Sequence, residues 1–431
     1  MRALSLIVPY MFKANPKYID VKNLLRKNKY PMPFGGKYMF SPYMACGHAC
    51  RYCDGRAERY HVDGDFDLDI TVRQNSPELL AKELPSLRER GPICISSGIS
   101  DPYQPIELNE RLTRRCAEVL VEFDFPVTIH TKSALVMRDL DLWRRLHDKS
   151  AVHLMISLTF IEDDLRQIFE PGASPVAERL EALRQFHEAG IHTGVLAMPF
   201  IPFISDSEKQ ISLLFRTLAD IGVDFVMPSG LTLRPGKQKE LFLATAKKHF
   251  PLQFSEIQSL YHQNKASGAP IRSYQKELYK RTTALLEANH LSGMIPHYTY
   301  RNQFAVYDEI RILLSHMKSL YSSRGINTSR LSLSLTLFTE WLETRKTYYA
   351  RRRNLPYRNL EDEIIALLSK GQPVGNPSNR GVQTILDQSF TEKRGFGEII
   401  RNKKLATFLS SLFCDELTFD YFDLSLTKPE N

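Results

Sequence analysis

A chain of 431 residues, 43% hydrophobic and 25% charged, has the balance of an ordinary soluble globular protein and can bury a large core without disulfides. Its net charge of +8 admits an acidic partner but, spread over this length, does not select a nucleic-acid binder. The 6 cysteines, three of them packed into Cys46–Cys53, exclude a disulfide framework and point to a reducing compartment with one clustered metal site.

The N-terminus is mildly apolar over Ala3–Phe12, but Pro9 and Tyr10 interrupt it and no small-residue cleavage pattern follows, so no signal peptide is expected. No run approaches the ~20 apolar residues of a membrane span, and the expected setting is the cytoplasm. From about residue 38 to 250, short β-like runs alternate with amphipathic helices. Strands are predicted at Lys37–Pro42, Pro92–Gly98, Phe125–Thr131, Val152–Leu158, His192–Pro199 and Val223–Pro228, several of them the continuous apolar runs of buried parallel strands. The helices predicted between and after them are Pro77–Arg90, Asn109–Phe123, Leu135–His147, Ser174–Ala189, Ser205–Asp220 and Lys237–His249. For Ser174–Ala189 the expected N-cap is Ser174, with Pro175 at the first position and Gly190 just past the end.

This alternation implies right-handed βαβ units around a parallel sheet, either doubly wound or a partial (β/α)6 barrel, with chemistry at the carboxyl ends of the strands. Residues 251 to about 300 read as mostly helical. Beyond them Val306–Ser322, Ser332–Arg345, Leu360–Lys370 and Glu398–Cys414 are predicted helices, and Lys370–Arg380 a loop. The expected division is a lead-in over 1–35, a catalytic domain over 36–303 and a helical C-terminal extension over 304–431.

The strongest chemical signal is Cys46-Gly-His-Ala-Cys50-Arg-Tyr-Cys53. Thiolates are soft ligands suited to Fe–S clusters, zinc or copper(I). A 4Fe–4S cluster normally takes four cysteines; a compact loop offering three leaves one iron open to a substrate or cofactor. Zinc, with His48 as a fourth ligand, and unrelated buried cysteines are the alternatives.

Three stretches make the chain resemble the spore-photoproduct-lyase-like branch of the radical S-adenosylmethionine (SAM) superfamily, often labelled DNA repair photolyase. They are Ser41–Cys53, Ser97–Glu107, and Glu170-Pro-Gly through Arg179-Leu180 and Ala189-Gly190 to Pro199-Phe-Ile-Pro202, and the resemblance spans roughly residues 36–300. It implies a partial TIM-type barrel with Cys46, Cys50 and Cys53 on a 4Fe–4S cluster that reductively cleaves SAM. The resulting 5′-deoxyadenosyl radical would abstract hydrogen from a substrate that the sequence does not name. It also implies SAM contacts from Tyr52 beside the adenine, Ser100 and Asp101 at the amino end, Lys132 at the carboxylate and Ser157 near the end of the fourth strand. A reductant such as flavodoxin or ferredoxin would be the partner.

Arg179, on a helix, is expected to pair with Glu170, and His130 and His153 to be structural. Two positions depart from the family's repair enzymes. Gly98 stands where they carry a hydrogen-donating cysteine, and Asp54 where they carry a tyrosine directly after the last cluster cysteine. Cys94, four residues before Gly98, would sit about 13 Å deeper on a regular strand and reads as a core thiol. Lesion repair on nucleic acid is therefore an alternative function, and a non-catalytic zinc or Fe–S protein another. The stretch Arg345–Arg358, with six basic residues, three tyrosines and no acid, could hold nucleic acid or be a solvated helix end.

Overall fold

The computed structural model describes residues 14–31, 36–96, 98–351, 358–369 and 395–428. The chain divides into two compact units. One comprises Met1–Asn28, Tyr38–Pro85 and Ile93–Ile295; the other comprises Lys29–Lys37, Ser86–Pro92 and Pro296–Asn431.

The first unit is built on a sheet whose six principal strands each overlap a predicted run, the last two running one and two residues past its end. They are β1 (Tyr38–Phe40), β2 (Ile93–Ile95), β3 (Val127–Thr131), β4 (Val152–Ser157), β5 (His192–Phe200) and β6 (Phe225–Gly230). They lie side by side in chain order, each parallel to the next. That order lacks the reversal that defines a doubly wound sheet. A short antiparallel strand, Arg26–Lys27, borders β1. Residues Val152–Ile156 are buried at every position, which is why a continuous apolar run, rather than an alternating one, marks a strand covered on both faces.

The main helices of this unit are α1 (Ser76–Glu83), α2 (Leu112–Phe123), α3 (Leu140–His147), α4 (Asp163–Phe169), α5 (Val176–Glu188), α6 (Glu208–Ile221) and α7 (Lys237–His249), with further ones at Glu107–Glu110, Phe254–Leu260 and Arg272–Ala288. Several differ from expectation for local reasons. The segment Asn109–Phe123 breaks at Arg111, which adopts φ 50°, because the buried Glu107 carboxylate accepts from the amides of Thr113 (2.9 Å) and Arg114 (3.3 Å) and so starts a new helix. The segment Leu135–His147 opens as a 3-10 turn over Ala134–Asp139. Ser174 does not cap α5: its hydroxyl accepts from the Ala134 amide (2.9 Å), and Pro175 takes the cap position. Gly190, at φ 79°, does end that helix region.

The second unit is mainly helical. Among the described residues its helices are His297–Tyr300, Val306–Ser323, Ser329–Arg351, Arg358–Leu368, Phe396–Ile399 and Lys403–Cys414, followed by an antiparallel ribbon, Thr418–Phe419 with Leu426–Thr427, that the sequence did not suggest. Buried Lys37 pairs here with Glu89 (2.8 Å) and Asp308 (2.6 Å). Of the basic aromatic stretch, 352–357 lie outside the described residues. Its first two bases are built into this unit. Arg345 donates to Glu363 (2.9 Å), and Lys346 lies 3.7 Å from Glu89 and over the Tyr307 ring. The loop expected at 370–380 is also outside the described residues. Among the described residues no helix is long and apolar enough to cross a membrane.

Candidate active site

The cysteine loop follows β1 and is held by backbone and side-chain bonds from several directions. Ala45 and Ala49 adopt positive φ (68° and 53°), which turns the chain tightly around Cys46–Cys50. Gln104, after β2, accepts from the Gly47 amide (2.8 Å) and donates to the Ala45 carbonyl (3.1 Å). Arg56 donates to the Cys50 carbonyl (3.0 Å), and Gln238 of α7 to that of Tyr52 (2.9 Å). The turn after α4 closes the other side. The Arg51 amide donates to the Phe169 carbonyl (2.8 Å), and the Gly172 amide to that of His48 (3.0 Å). A Cβ on Gly172 would stand 2.2 Å from the Gly47 carbonyl oxygen, so only glycine allows this approach.

Cys46 and Cys50 are buried and Cys53 is partly so. Burial pushes all three thiols up. Asp101 and the neighbouring cysteines add to this at Cys46, and Glu170 adds to it at Cys50. Three soft donors that influence one another, two of them buried, are poorly suited to stay as free thiolates. A bound cationic metal centre reverses that balance, because a coordinating thiol loses its proton outright. Their number and chemistry fit a cluster held by three cysteines. Among the described residues no group of three His, Cys, Asp or Glu side chains could hold a single metal ion. His48, the conceivable fourth zinc ligand, instead faces Asp101 (3.4 Å).

The residues expected to contact SAM gather beside this loop, at the carboxyl ends of β2, β3 and β4. Lys132 follows β3; its ammonium lies 3.0 Å from Glu170 and 5.6 Å from the centroid of the Tyr52 ring. Tyr52 is buried, and its hydroxyl meets Glu170 and Thr159 (3.2 Å). Ser157, half-buried, is the last residue of β4, and its carbonyl accepts from Arg179 (2.9 Å). The Ser100 hydroxyl accepts from Gln104 (3.1 Å). Asp101 departs from expectation. Its carboxylate accepts from the Tyr103 amide (2.9 Å), the Thr131 hydroxyl (2.6 Å) and the Lys132 amide (2.8 Å), and it faces His48. A carboxylate has about four acceptor sites, so Asp101 is occupied in joining the post-β2 loop to the end of β3.

Sequence reasoning saw Glu170 only as a partner for Arg179 and missed its place among the site residues. Glu170 is wholly buried and binds Lys132, Tyr52 and Arg179 (2.6 Å) together. Burial alone would raise its carboxyl, but Arg179 and Lys132 outweigh this and hold it well below the usual range. The signal was present in the Glu170-Pro-Gly stretch, which carries both this carboxylate and the close approach of Gly172. Gln104 lay within the Ser97–Glu107 stretch with no role assigned to it, and Gln238 gave no signal. Arg179 pairs with Glu170 as expected.

Gly98 lies in a turn beyond β2, and the nearest atom to a Cβ built there is the Tyr60 hydroxyl, at 3.8 Å. Because β2 ends at Ile95, the regular strand spacing between Cys94 and Gly98 does not hold. Cys94 is nevertheless buried, beside His130 (3.7 Å), with its thiol pushed up to about 11 by burial. Asp54 accepts from Tyr60 (2.7 Å) and pairs with Arg234 (2.5 Å).

Residues 40–215 match the family model described as Radical SAM superfamily. An uncharacterized protein of Mycobacterium tuberculosis is 29% identical over 280 residues, which are 63% of this chain and 80% of that protein. An uncharacterized protein of Methanocaldococcus jannaschii is 31% identical over 193 residues, 44% of this chain and 69% of its own. Among solved structures, spore photoproduct lyase complexed with dinucleoside spore photoproduct aligns with a TM-score of 0.46 at 20% identity. That alignment covers 63% of this chain and 79% of the lyase.

Proposed function

The chain belongs to the radical SAM superfamily, enzymes that use a 4Fe–4S cluster and SAM, and from that premise we propose that Cys46, Cys50 and Cys53 hold the cluster and that this chain reductively cleaves SAM. When bound, the pair supplies hydrogen-atom abstraction from a substrate. The observation that carries the reading is that Lys132 and Tyr52 share one buried carboxylate, Glu170, beside a loop of three cysteines, two of them buried and the third partly so. In this reading Lys132 receives the SAM carboxylate, Tyr52 flanks the adenine, Ser100 and Ser157 give polar contacts, and Asp101 orients the strand ends. The uninterrupted parallel order of β1 to β6 supports a partial (β/α)6 barrel, with the helices of 304–431 as its extension. Free cysteines suit a reducing compartment such as the cytoplasm.

The test is conversion of SAM to 5′-deoxyadenosine and methionine by anaerobically reconstituted, reduced protein. Lys132→Ala is expected to weaken SAM binding by roughly 1.5–3 kcal/mol, the worth of a charged hydrogen bond. Ser157→Ala should do less. Unchanged SAM affinity in Lys132→Ala, measured by equilibrium dialysis, would remove that residue from the site.

Lesion repair of the spore-photoproduct type is the alternative chemistry. It needs a hydrogen donor near the product, and Gly98 has no S–H to give. We expect the reduced protein to cleave SAM without restoring thymines in a lesion-containing dinucleotide, read by chromatography. Clean repair over many turnovers would reveal a donor elsewhere. A non-catalytic metal protein would hold metal yet release no 5′-deoxyadenosine.

A further inference from the structure

Strand β6 ends in a cleft of about 590 Å³, at the same end of the parallel sheet as Lys132 and Ser157. Residues Pro228 to Thr232 form one wall, and the first turns of the helix Arg272–Ala288 form the other. Leu231, which lines the cleft, belongs to the apolar cluster that contains Cys50 and Tyr52. Tyr274, from the opposite wall, packs on that cluster. The cleft is therefore joined to the cysteine loop through the core of one compact unit.

Arg272, Lys276 and Tyr279 stand four and then three positions apart along their helix and so share one face. All three line the cleft and are exposed, Tyr279 by 57%. Among the described residues neither Arg272 nor Lys276 forms an ion pair, and no acidic side chain lines the cleft. The nearby Glu277 lies against Arg281 (3.8 Å). Asp206 is occupied by the Tyr274 hydroxyl (2.8 Å) and the Phe203 amide (2.7 Å). The second of these bonds holds Phe203 at φ 60°, a conformation that bulky residues avoid, with its ring 44% exposed and 6.4 Å from that of Tyr274. Burial does not offset this strain; what the strain secures is an exposed aromatic face beside the cleft.

Two unpaired cations on one wall, with the hydroxyls of Ser229 and Thr232 on the other, suit a phosphate, which accepts at several oxygens. The aromatic faces suit a flat ring. A cleft of this volume takes one ligand of about nucleotide size. We propose that the cleft anchors the non-reacting end of the substrate, and that this end is a phosphate carried on a flat ring. The phosphate meets Arg272 and Lys276, and the ring lies against Tyr279. The assignment rests on the proposed function, in which the reacting carbon must be held beside SAM; binding a remote group supplies that positioning.

The probe is uridine monophosphate. Full-length reconstituted enzyme is kept unreduced and saturated with SAM, so that the SAM site is closed to the probe. Binding is measured by equilibrium dialysis at low and high salt, beside uridine and ribose phosphate, which offer the ring or the phosphate alone. The monophosphate is expected to bind roughly tenfold or more tightly than either part. Arg272→Glu with Lys276→Glu should raise its Kd roughly tenfold or more and flatten the salt dependence. Tyr279→Ala should raise the Kd about fivefold or more, whereas Tyr279→Phe, which keeps the ring, should not. Because these side chains are exposed, the thermal unfolding midpoint should stay at the wild-type level and show the variants to be folded. No binding of the monophosphate, an unchanged Kd in the charge-reversed protein, or equal affinity for ribose phosphate would overturn the assignment. So would a single-stranded oligonucleotide that binds far more tightly than the monophosphate, which would make the cleft part of an extended groove. Monophosphate binding that persists in protein that, once reduced, cleaves no SAM would overturn the proposed function instead and leave the cleft as a binding site.

Discussion

Cys46→Ala, Cys50→Ala and Cys53→Ala are each expected to yield protein that cannot assemble an intact four-iron cluster and releases no 5′-deoxyadenosine. Each cysteine would supply one thiolate, and the loop has none to spare. Cys94 is buried beside His130 on β2, Cys116 is buried within α2, and Cys414 belongs to the other compact unit. Substituting any of those three by alanine should leave the cluster unchanged. Iron and sulfide analysis after anaerobic reconstitution, with the visible absorbance before and after reduction, reads all six variants. Wild-type protein is expected to hold about four irons and four sulfides. Full iron content in Cys50→Ala, or stoichiometric zinc in place of iron in the wild type, would remove the cluster assignment.

The sequence revealed those residues whose chemistry and spacing are local. Three thiols within Cys46–Cys53 form a motif wherever they occur, and parallel strands announce themselves as apolar runs because both faces of the sheet are covered. Lys132 and Ser157 could be placed at strand ends because β3 and β4 were visible as such runs. What could not be read was how polar groups are shared across the fold. Asp101 has the residue type of a ligand, yet Thr131, Lys132 and Tyr103, none of them identifiable as its partners from the sequence, occupy its oxygens. Ser174 sits where a helix cap belongs, but the Ala134 amide, forty positions away, claims its hydroxyl. Glu170 was legible only as half of a pair with Arg179, because nothing local shows that Lys132 and Tyr52 converge on the same carboxylate.

That convergence gives the other large effect. Glu170→Ala is expected to lower stability by about 3–5 kcal/mol, since it strands the buried Arg179 guanidinium without its counter-charge. Urea unfolding of the apo protein measures this directly. Glu170→Gln is the more informative variant. It keeps the shape and can still accept a hydrogen bond, so the loss of stability should be smaller, but the charge that holds Lys132 is gone. If Glu170 positions Lys132 for the SAM carboxylate, Glu170→Gln should raise the SAM Kd with the iron content unchanged. The effect should also largely vanish once Lys132 is already Met. A double-mutant cycle over Glu170→Gln and Lys132→Met, read by SAM affinity, therefore decides the point. Coupling of about 1 kcal/mol or more fits a carboxylate acting through the lysine, since residues in direct contact couple by about 0.5–3 kcal/mol. Additive effects would leave Glu170 as a fold-stabilising ion pair with Arg179, with no part in orienting Lys132.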